Sequence, residues 1–474
     1  MDTSALAGLI FFVAFMGLIL VHELGHYFAS VWSGVEVEEF GFGIPPRAWT
    51  FWRLAGYFLT RSGKRIEIPR NYRMPLPWNE ILDKELAMTV DRVDGKLILR
   101  TIDVVVETPL EKPVSSVESG QILVDDSGQP VKPQKEMEVK REVIRVGGTR
   151  GQEERIEFIT ETHAGTDFTL NWLPLGGFVR PKGENDPTVP GGLAAASPWK
   201  RLAVLFAGPI MNLLMGLAIF TFLVRVDGYH DYSRVSLGGI APNSPAEAAG
   251  MQAGDIVLEA AGQPVVSFDS ISSAVTQHLG QPMDFLLQRG GEEFVITVTP
   301  RAEPPEGEGP LGIMMREAVI PMETWGDALY YGALSVKEQA NALLLLPAKM
   351  LRGTLAPGEG RFIGLKGIYD IFNVSVSVDV QSREPAASSA QTPTYSTLYL
   401  IAMLSVSIGL FNLFPFPALD GGRIIFVLPE ILTRRRVPHQ LENWVHFVGM
   451  SLLLLFMLYI NVMDFVNPLN LTAP

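Results

Sequence analysis

The chain has 474 residues, 47 % of them hydrophobic and only 19 % charged, a balance that argues against a wholly soluble enzyme and leaves room for a membrane part beside soluble ones. Its formal charge of -13, with the acids spread through the polar segments, provides no basic stripe and argues against nucleic acid as a partner. It has no cysteine, which removes disulfides, thiol nucleophiles and thiolate metal sites, so any zinc must be held by His, Asp or Glu.

A transmembrane helix needs about 20 mostly apolar residues. The first such segment, residues 1–33, is uncharged from Thr3 to Val21 and ends in VHELGHYFAS, Val21 to Ser30. It lacks a positive n-region and runs on into HELGH without a small-residue cleavage site, so it reads as a retained span. Residues 49–165 are polar and strand-like, with runs such as KLILRTIDVVVE and KREVIRVGG broken by Gly and Pro. A second span is expected at 199–226. It precedes a compact β-rich domain at 233–302 with a short helix near Ala246, which ends in a polar linker at 303–322 containing EPPEGEG. Residues 323–350 are apolar toward their end but carry Lys337, Glu338 and Lys349, the pattern of an amphipathic helix on the membrane surface. A third span at 392–422 ends in NLFPFPALDGG, where Pro415 and Pro417 remove backbone donors and predict unwinding. The fourth span covers 441–465. No period of 20 to 50 residues recurs, which argues against a repeat array.

Lys and Arg near the spans set the expected topology. Arg423 and Arg434 to Arg436 lie between spans three and four, and Arg180, Lys182, Lys200 and Arg201 lead into span two. These bases place the loops after spans one and three in the cytoplasm and both termini outside. The insertion at 49–165 is then cytoplasmic, and the β-rich domain is extracytoplasmic.

Seven histidines are present, and only His22 and His26 form a tight pair at helical spacing. Residues four apart share a helix face, so both imidazoles can point at one metal ion. Glu23 sits at the flank of that face. A metal held there lowers the pKa of a water toward about 7, and the glutamate can accept its proton as water attacks a carbonyl. The bland alternative is a pair of interfacial histidines snorkelling beside a charge, which predicts no third ligand. Catalytic zinc keeps three protein ligands and an open position. The best-placed third ligand is Asp420, which by the topology lies at a depth similar to HELGH; Asp464 and Glu442 read as boundary charges and His446 as a headgroup-region residue. Asn412 offers an amide for a substrate backbone or for a neighbouring helix, and the two uses stay open.

VHELGH at Val21 to His26, GFG at Gly41 to Gly43, NWLPLGGFVRPKGE at Asn171 to Glu184, AGPIMN at Ala207 to Asn212 and NLFPFPALDGG at Asn412 to Gly422 together resemble the site-two proteases. These are the intramembrane zinc metalloproteases of peptidase family M50, here of the bacterial regulator of sigma-E protease type. SLGGIAPNSPAEAAGMQAGDIVLEAAGQPV is similar to bacterial PDZ domains. The resemblance implies a polytopic α-helical membrane protein with four transmembrane helices, a membrane-associated β-structure from 34–48 and 166–198, the cytoplasmic insertion, and one extracytoplasmic PDZ domain.

The implied activity is zinc-dependent intramembrane endoproteolysis of transmembrane segments, as in the processing of anti-sigma factors or signal-peptide remnants. The resemblance implies Zn2+ on His22, His26 and Asp420, Glu23 as general base, and substrate contacts at Asn412, Gly176 and Gly177. Its implied partners are transmembrane substrates, the lipid bilayer, and a peptide or substrate C-terminus at the PDZ domain. The implied location is the bacterial inner membrane, with the active site toward the cytoplasmic side. The competing expectation is a catalytically silent PDZ scaffold. Only one PDZ-like segment is present, and the insertion interrupts the stretch joining GFG to LPLGGF, two departures from the best-known enterobacterial relative.

Overall fold

The computed structural model describes residues 3–72, 74, 81–111, 137–147, 149–305, 307–355, 361–383 and 394–468. Residues 73, 75–80, 112–136 and 148 of the expected insertion, 306 of the expected linker, and 392 and 393 at the start of the expected third span lie outside them. The helices among the described residues are α1 (Thr3–Trp32), α2 (Pro198–Asp227), α3 (Pro245–Ala248), α4 (Phe268–Gln277), α5 (Trp325–Arg352), α6 (Leu365–Gln381), α7 (Ser396–Leu413), α8 (Asp420–Thr433) and α9 (His439–Val466). Of these, α1, α2, α7 and α9 are long and apolar enough to cross a membrane, matching the four expected spans. Contacts divide the chain into two units, one of Met1–Ala14, Pro209–Asp420 and Val448–Pro474, the other of Phe15–Gly208 and Gly421–Phe447.

The second of these units holds two sheets. β1 (Val37–Arg53) pairs antiparallel with β8 (Asp167–Pro181), Phe40 opposite Val179 and Gly41 opposite Phe178, while the later half of β1 pairs with the first residues of β8, Arg53 opposite Asp167. The sheet is pinned by a charge that the sequence did not single out. Glu39 is only 3 % exposed. Its carboxylate meets Arg47 and Arg180, each at 2.9 Å, and accepts from the Thr169 hydroxyl at 2.8 Å. A carboxylate buried this deeply persists because both oxygens are matched by charge and hydrogen bonds. The expected boundaries shift accordingly. β1 runs on into the expected insertion, and residues 182–197 form turns with no strand.

The insertion itself folds as a six-stranded sheet, in the order β3-β2-β7-β4-β5-β6, from β2 (Gly56–Thr60), β3 (Arg65–Ile68), β4 (Glu85–Val93), β5 (Lys96–Glu111), β6 (Met137–Gly147) and β7 (Glu153–His163). Alternating apolar residues such as Phe58, Ile66, Met88, Leu99 and Ile159 form its buried face, the period-two pattern that a one-sided sheet requires.

In the first unit, β9 (Tyr229–Ile240), β10 (Ile256–Ala260), β11 (Gln263–Pro264), β12 (Met283–Arg289), β13 (Glu292–Val298) and β14 (Ile313–Ile320) build a sheet ordered β13-β12-β10-β9-β14, with β11 on β10. The Ser244 hydroxyl caps α3 by accepting from Glu247 N at 3.1 Å, the role its place before Pro245 suggests. The expected domain end at 302 needs correcting. β14 falls inside the segment read as a linker, because apolar Ile313, Met315 and Ile320 flank charged residues there and pair with β9.

Two further elements were not expected. α6 lies in a stretch with no assignment, and the region between spans three and four is the helix α8 instead of a plain loop. α6 depends on a tertiary cap and supplies one. Gly364, at the start of α6, has no side chain to cap the helix; Asp464 of α9 does so, accepting from Gly364 N at 2.8 Å and Gly367 N at 3.1 Å. Asp379 near the end of α6 in turn accepts from the backbone of Ser396 at 2.8 Å and Thr397 at 3.0 Å, capping α7. Burial alone would raise the Asp379 pKa, but these amide donors and the Thr394 hydroxyl outweigh it and hold the carboxyl below its ordinary range. Its stabilisation is therefore present above the usual carboxylate pKa and is lost as pH falls through the lowered one.

Asp464, expected to be a boundary charge, is 2 % exposed and acts as a cap. Asp464→Ala is expected to destabilise the protein by about 1–3 kcal/mol, since two buried N–H groups lose their acceptor. Thermal unfolding in detergent checks this, and an unchanged midpoint would refute the capping role.

Candidate metal centre and active site

The HELGH turn lies within α1, whose end is closed by Gly34 at φ +73° and by the bond from Val35 N to Ser30 O at 2.8 Å. One helical turn apart, the imidazoles of His22 and His26 face each other edge to face, with Nε2 atoms 3.1 Å apart. At that spacing two ring nitrogens share either a proton or a cation. His26 Nδ1 lies 2.8 Å from the Val204 carbonyl, which can only accept. Nδ1 therefore carries a proton, which makes Nε2 the ring nitrogen left for ligation.

The helix that supplies Val204 also supplies Gly208, and here the missing side chain matters. A Cβ at Gly208 would lie 2.4 Å from His26 Nε2 and 2.9 Å from His22 Cε1. Only glycine lets the α2 backbone come so close to the donors.

Glu23 is half-buried, and its Oε2 accepts from Val179 N of β8 at 3.0 Å. Gly177 lies beside it, where a Cβ would sit 3.6 Å from Glu23 Cγ; Gly176 adopts φ +88°. Of the two glycines named from the resemblance, Gly177 thus lies beside the glutamate, and Gly176 turns the strand next to it.

As the prolines predict, α7 stops at Leu413, and residues 414–419 are non-helical before α8 begins at Asp420. Ala418 takes φ +85°, a left-handed conformation that a residue with a Cβ adopts only under local constraint. Asp420 is the first residue of α8, and its carboxylate and the ring nitrogens of His22 and His26 offer three ligand atoms within 4.8 Å of one another. Two imidazole nitrogens and a carboxylate oxygen are the donor set that fits a four-coordinate ion with one open position.

α8 is held in its own unit by ion pairs. Arg201, 6 % exposed, meets Glu430 at 2.6 Å; Arg423 pairs with Glu184; and Arg436 donates to the Ala194 carbonyl at 2.7 Å. Arg201, Arg423 and Arg436, read first as topology markers, therefore also fasten α8.

Asn412 turns its amide nitrogen to its own helix, where Nδ2 donates to the Ile408 carbonyl one turn back, at 3.0 Å. Glu442 lies in the first turn of α9, and the His446 ring contacts Phe426 at 5.6 Å between centroids; neither joins the three-residue ligand cluster. Sequence reasoning missed Val204 and Gly208 as parts of the site and gave Val179 no role of its own. Val204 and Val179 act through backbone atoms, which leave no side-chain signature. Gly208 left a trace in the Gly-Pro step inside an apolar run.

The model of peptidase family M50 matches residues 10–60 and 148–456. The chain is 26 % identical over 464 residues to the zinc metalloprotease RasP of Geobacillus kaustophilus, covering 96 % of each chain. It is 25 % identical over 456 residues to the regulator of sigma-W protease RasP of Bacillus subtilis, covering 96 % of this chain and 97 % of that one. The matched residues include the HELGH turn, Gly208 and Asp420, and on a match over most of its length the chain belongs to peptidase family M50.

Proposed function

We propose that this protein is a zinc-dependent intramembrane endopeptidase that cuts the transmembrane segments of membrane proteins. The observation that carries the reading is the cluster of donor atoms from His22, His26 and Asp420 within 4.8 Å, with Glu23 next to one ligand on the same helix. Relatives named as zinc metalloproteases support the choice of metal. His22, His26 and Asp420 would hold the zinc, which would supply Lewis-acid polarisation of the water and the scissile carbonyl.

The chain's own groups do the rest. The Val204 carbonyl orients His26 for ligation, and Gly208 clears the space before it. Glu23 takes the proton from the attacking water and returns it to the leaving amine. A helical substrate hides its peptide bonds, so it must be presented as an extended strand, for which the β1–β8 sheet beside Glu23 offers a partner through main-chain hydrogen bonds. Gly176 and Gly177 let that strand approach, and Asn412 contacts the substrate through its amide oxygen. The β-domain from Tyr229 to Ile320 serves as a single PDZ-type module that admits or filters substrate outside the cytoplasm. The active site faces the cytoplasmic side of the inner membrane.

Asp420→Asn is expected to weaken zinc binding by more than about 100-fold, beyond the 10- to 100-fold loss typical of an outer-shell partner. Metal analysis of the purified protein beside cleavage of a co-expressed single-pass substrate measures both effects. Full zinc occupancy in this variant would remove Asp420 from the ligand set.

A further inference from the structure

The first unit contains a cavity of about 560 Å³ between the C-terminal end of α2, the middle of α5 and the N-terminal end of α7. Asp227 and Glu338 contribute carboxylates to it, and no lysine or arginine is among its lining residues. The Tyr229 hydroxyl, on a side chain 7 % exposed, donates to Glu338 Oε1 at 2.9 Å, and His230 lies 3.2 Å from Asp227 Oδ2. Tyr399 also lines the cavity and packs edge to face on Phe220 at 5.4 Å between centroids.

Three features favour a cation in this space. Two acids face it, the carbonyl end of the 30-residue helix α2 adds partial negative charge, and tyrosine rings offer π faces. Of the tyrosines in the wall, Tyr395 already has the Arg383 guanidinium over its ring at 5.6 Å, which leaves Tyr229 and Tyr399 as the rings for a bound cation. Of the hydroxyls there, Ser335 donates to the Tyr331 carbonyl and Thr394 to Asp379 Oδ1, so the neutral donor offered to an attached anion is the Ser396 hydroxyl. The remaining wall, Leu223, Val224 and Ala342, is apolar, and its first two residues belong to a helix fit to cross a membrane. A ligand with a charged head and apolar tails matches both halves.

We propose that this cavity binds the headgroup of an aminophospholipid, its primary ammonium held by Asp227 and Glu338 against the tyrosine rings and its phosphate met by the Ser396 hydroxyl. The site shares no residue with the metal centre and does not depend on protease activity.

The test uses the full-length protein reconstituted in phosphatidylglycerol vesicles doped with a minor fraction of phosphatidylethanolamine. The protein is then re-extracted in mild detergent, and its bound lipid is quantified by mass spectrometry. Wild type should carry phosphatidylethanolamine about tenfold enriched over its bulk fraction. Asp227→Asn with Glu338→Gln should return it to the bulk ratio, while the glutamine oxygen still accepts from Tyr229 and keeps the fold. Tyr399→Leu, which leaves both acids in place, should lower the enrichment in part. No enrichment in wild type, or enrichment that survives the double variant, would overturn the proposal. So would retention of a lysine-flanked transmembrane peptide in place of lipid, since the occupant would then be a protein.

Discussion

Glu23→Gln should abolish measurable cleavage while leaving zinc content at the wild-type level. The amide keeps the size of the side chain and an oxygen for the Val179 N–H, so the strand contact at 3.0 Å survives and only the proton acceptor is lost. A positioned general base contributes about 10²- to 10⁴-fold, equivalent to roughly 3–5.5 kcal/mol of barrier. Single-turnover cleavage of a reconstituted substrate, beside metal analysis of the same preparation, separates the two quantities. Cleavage at the wild-type rate would exclude Glu23 as the base and with it the proposed chemistry. Lost zinc in a folded variant would instead make Glu23 a ligand.

The second large effect is expected at Gly208, far from HELGH in sequence. Alanine there places a methyl group 2.4 Å from His26 Nε2, closer than any real contact, so the imidazole or the helix must move. His26 is tied to Val204 O on the same helix as Gly208, which leaves little room to yield. Overpacking of this kind costs about 1–3 kcal/mol. Inside a helix, however, alanine regains about 1 kcal/mol over glycine. The metal-free protein should therefore unfold near the wild-type temperature, while zinc affinity falls by at least about 10-fold and activity falls with it. Tight zinc binding by Gly208→Ala, measured by competition with a chelator, would show that α2 does not shape the site.

The spans and the candidate ligand set were legible in the sequence because both are written in side chains. Apolar runs of span length need no tertiary information, and HELGH and LDG carry their donors at fixed spacing. What it hid lies mostly in backbone atoms and borrowed partners. α8 begins after a proline-rich break, and the arginines around it suggested a loop until the pairing of its Arg423 with Glu184, and of its Glu430 with Arg201 of α2, was visible. β14 was concealed by the glycines and prolines before it, since its strand character is satisfied only by β9. Glu39 looked like one acid among three in VEVEEF, and only the folded sheet brings Arg47 and Arg180 to it.

Asp464 and Asp379 have a consequence beyond their local bonds. Each closes the start of a helix other than its own, so α9 secures α6 and α6 secures α7. In a low-polarity surrounding, an opened helix end has no water to turn to. Fraying at one of these ends therefore cannot remain local, and the three helices should lose amide-exchange protection together, as one cooperative block.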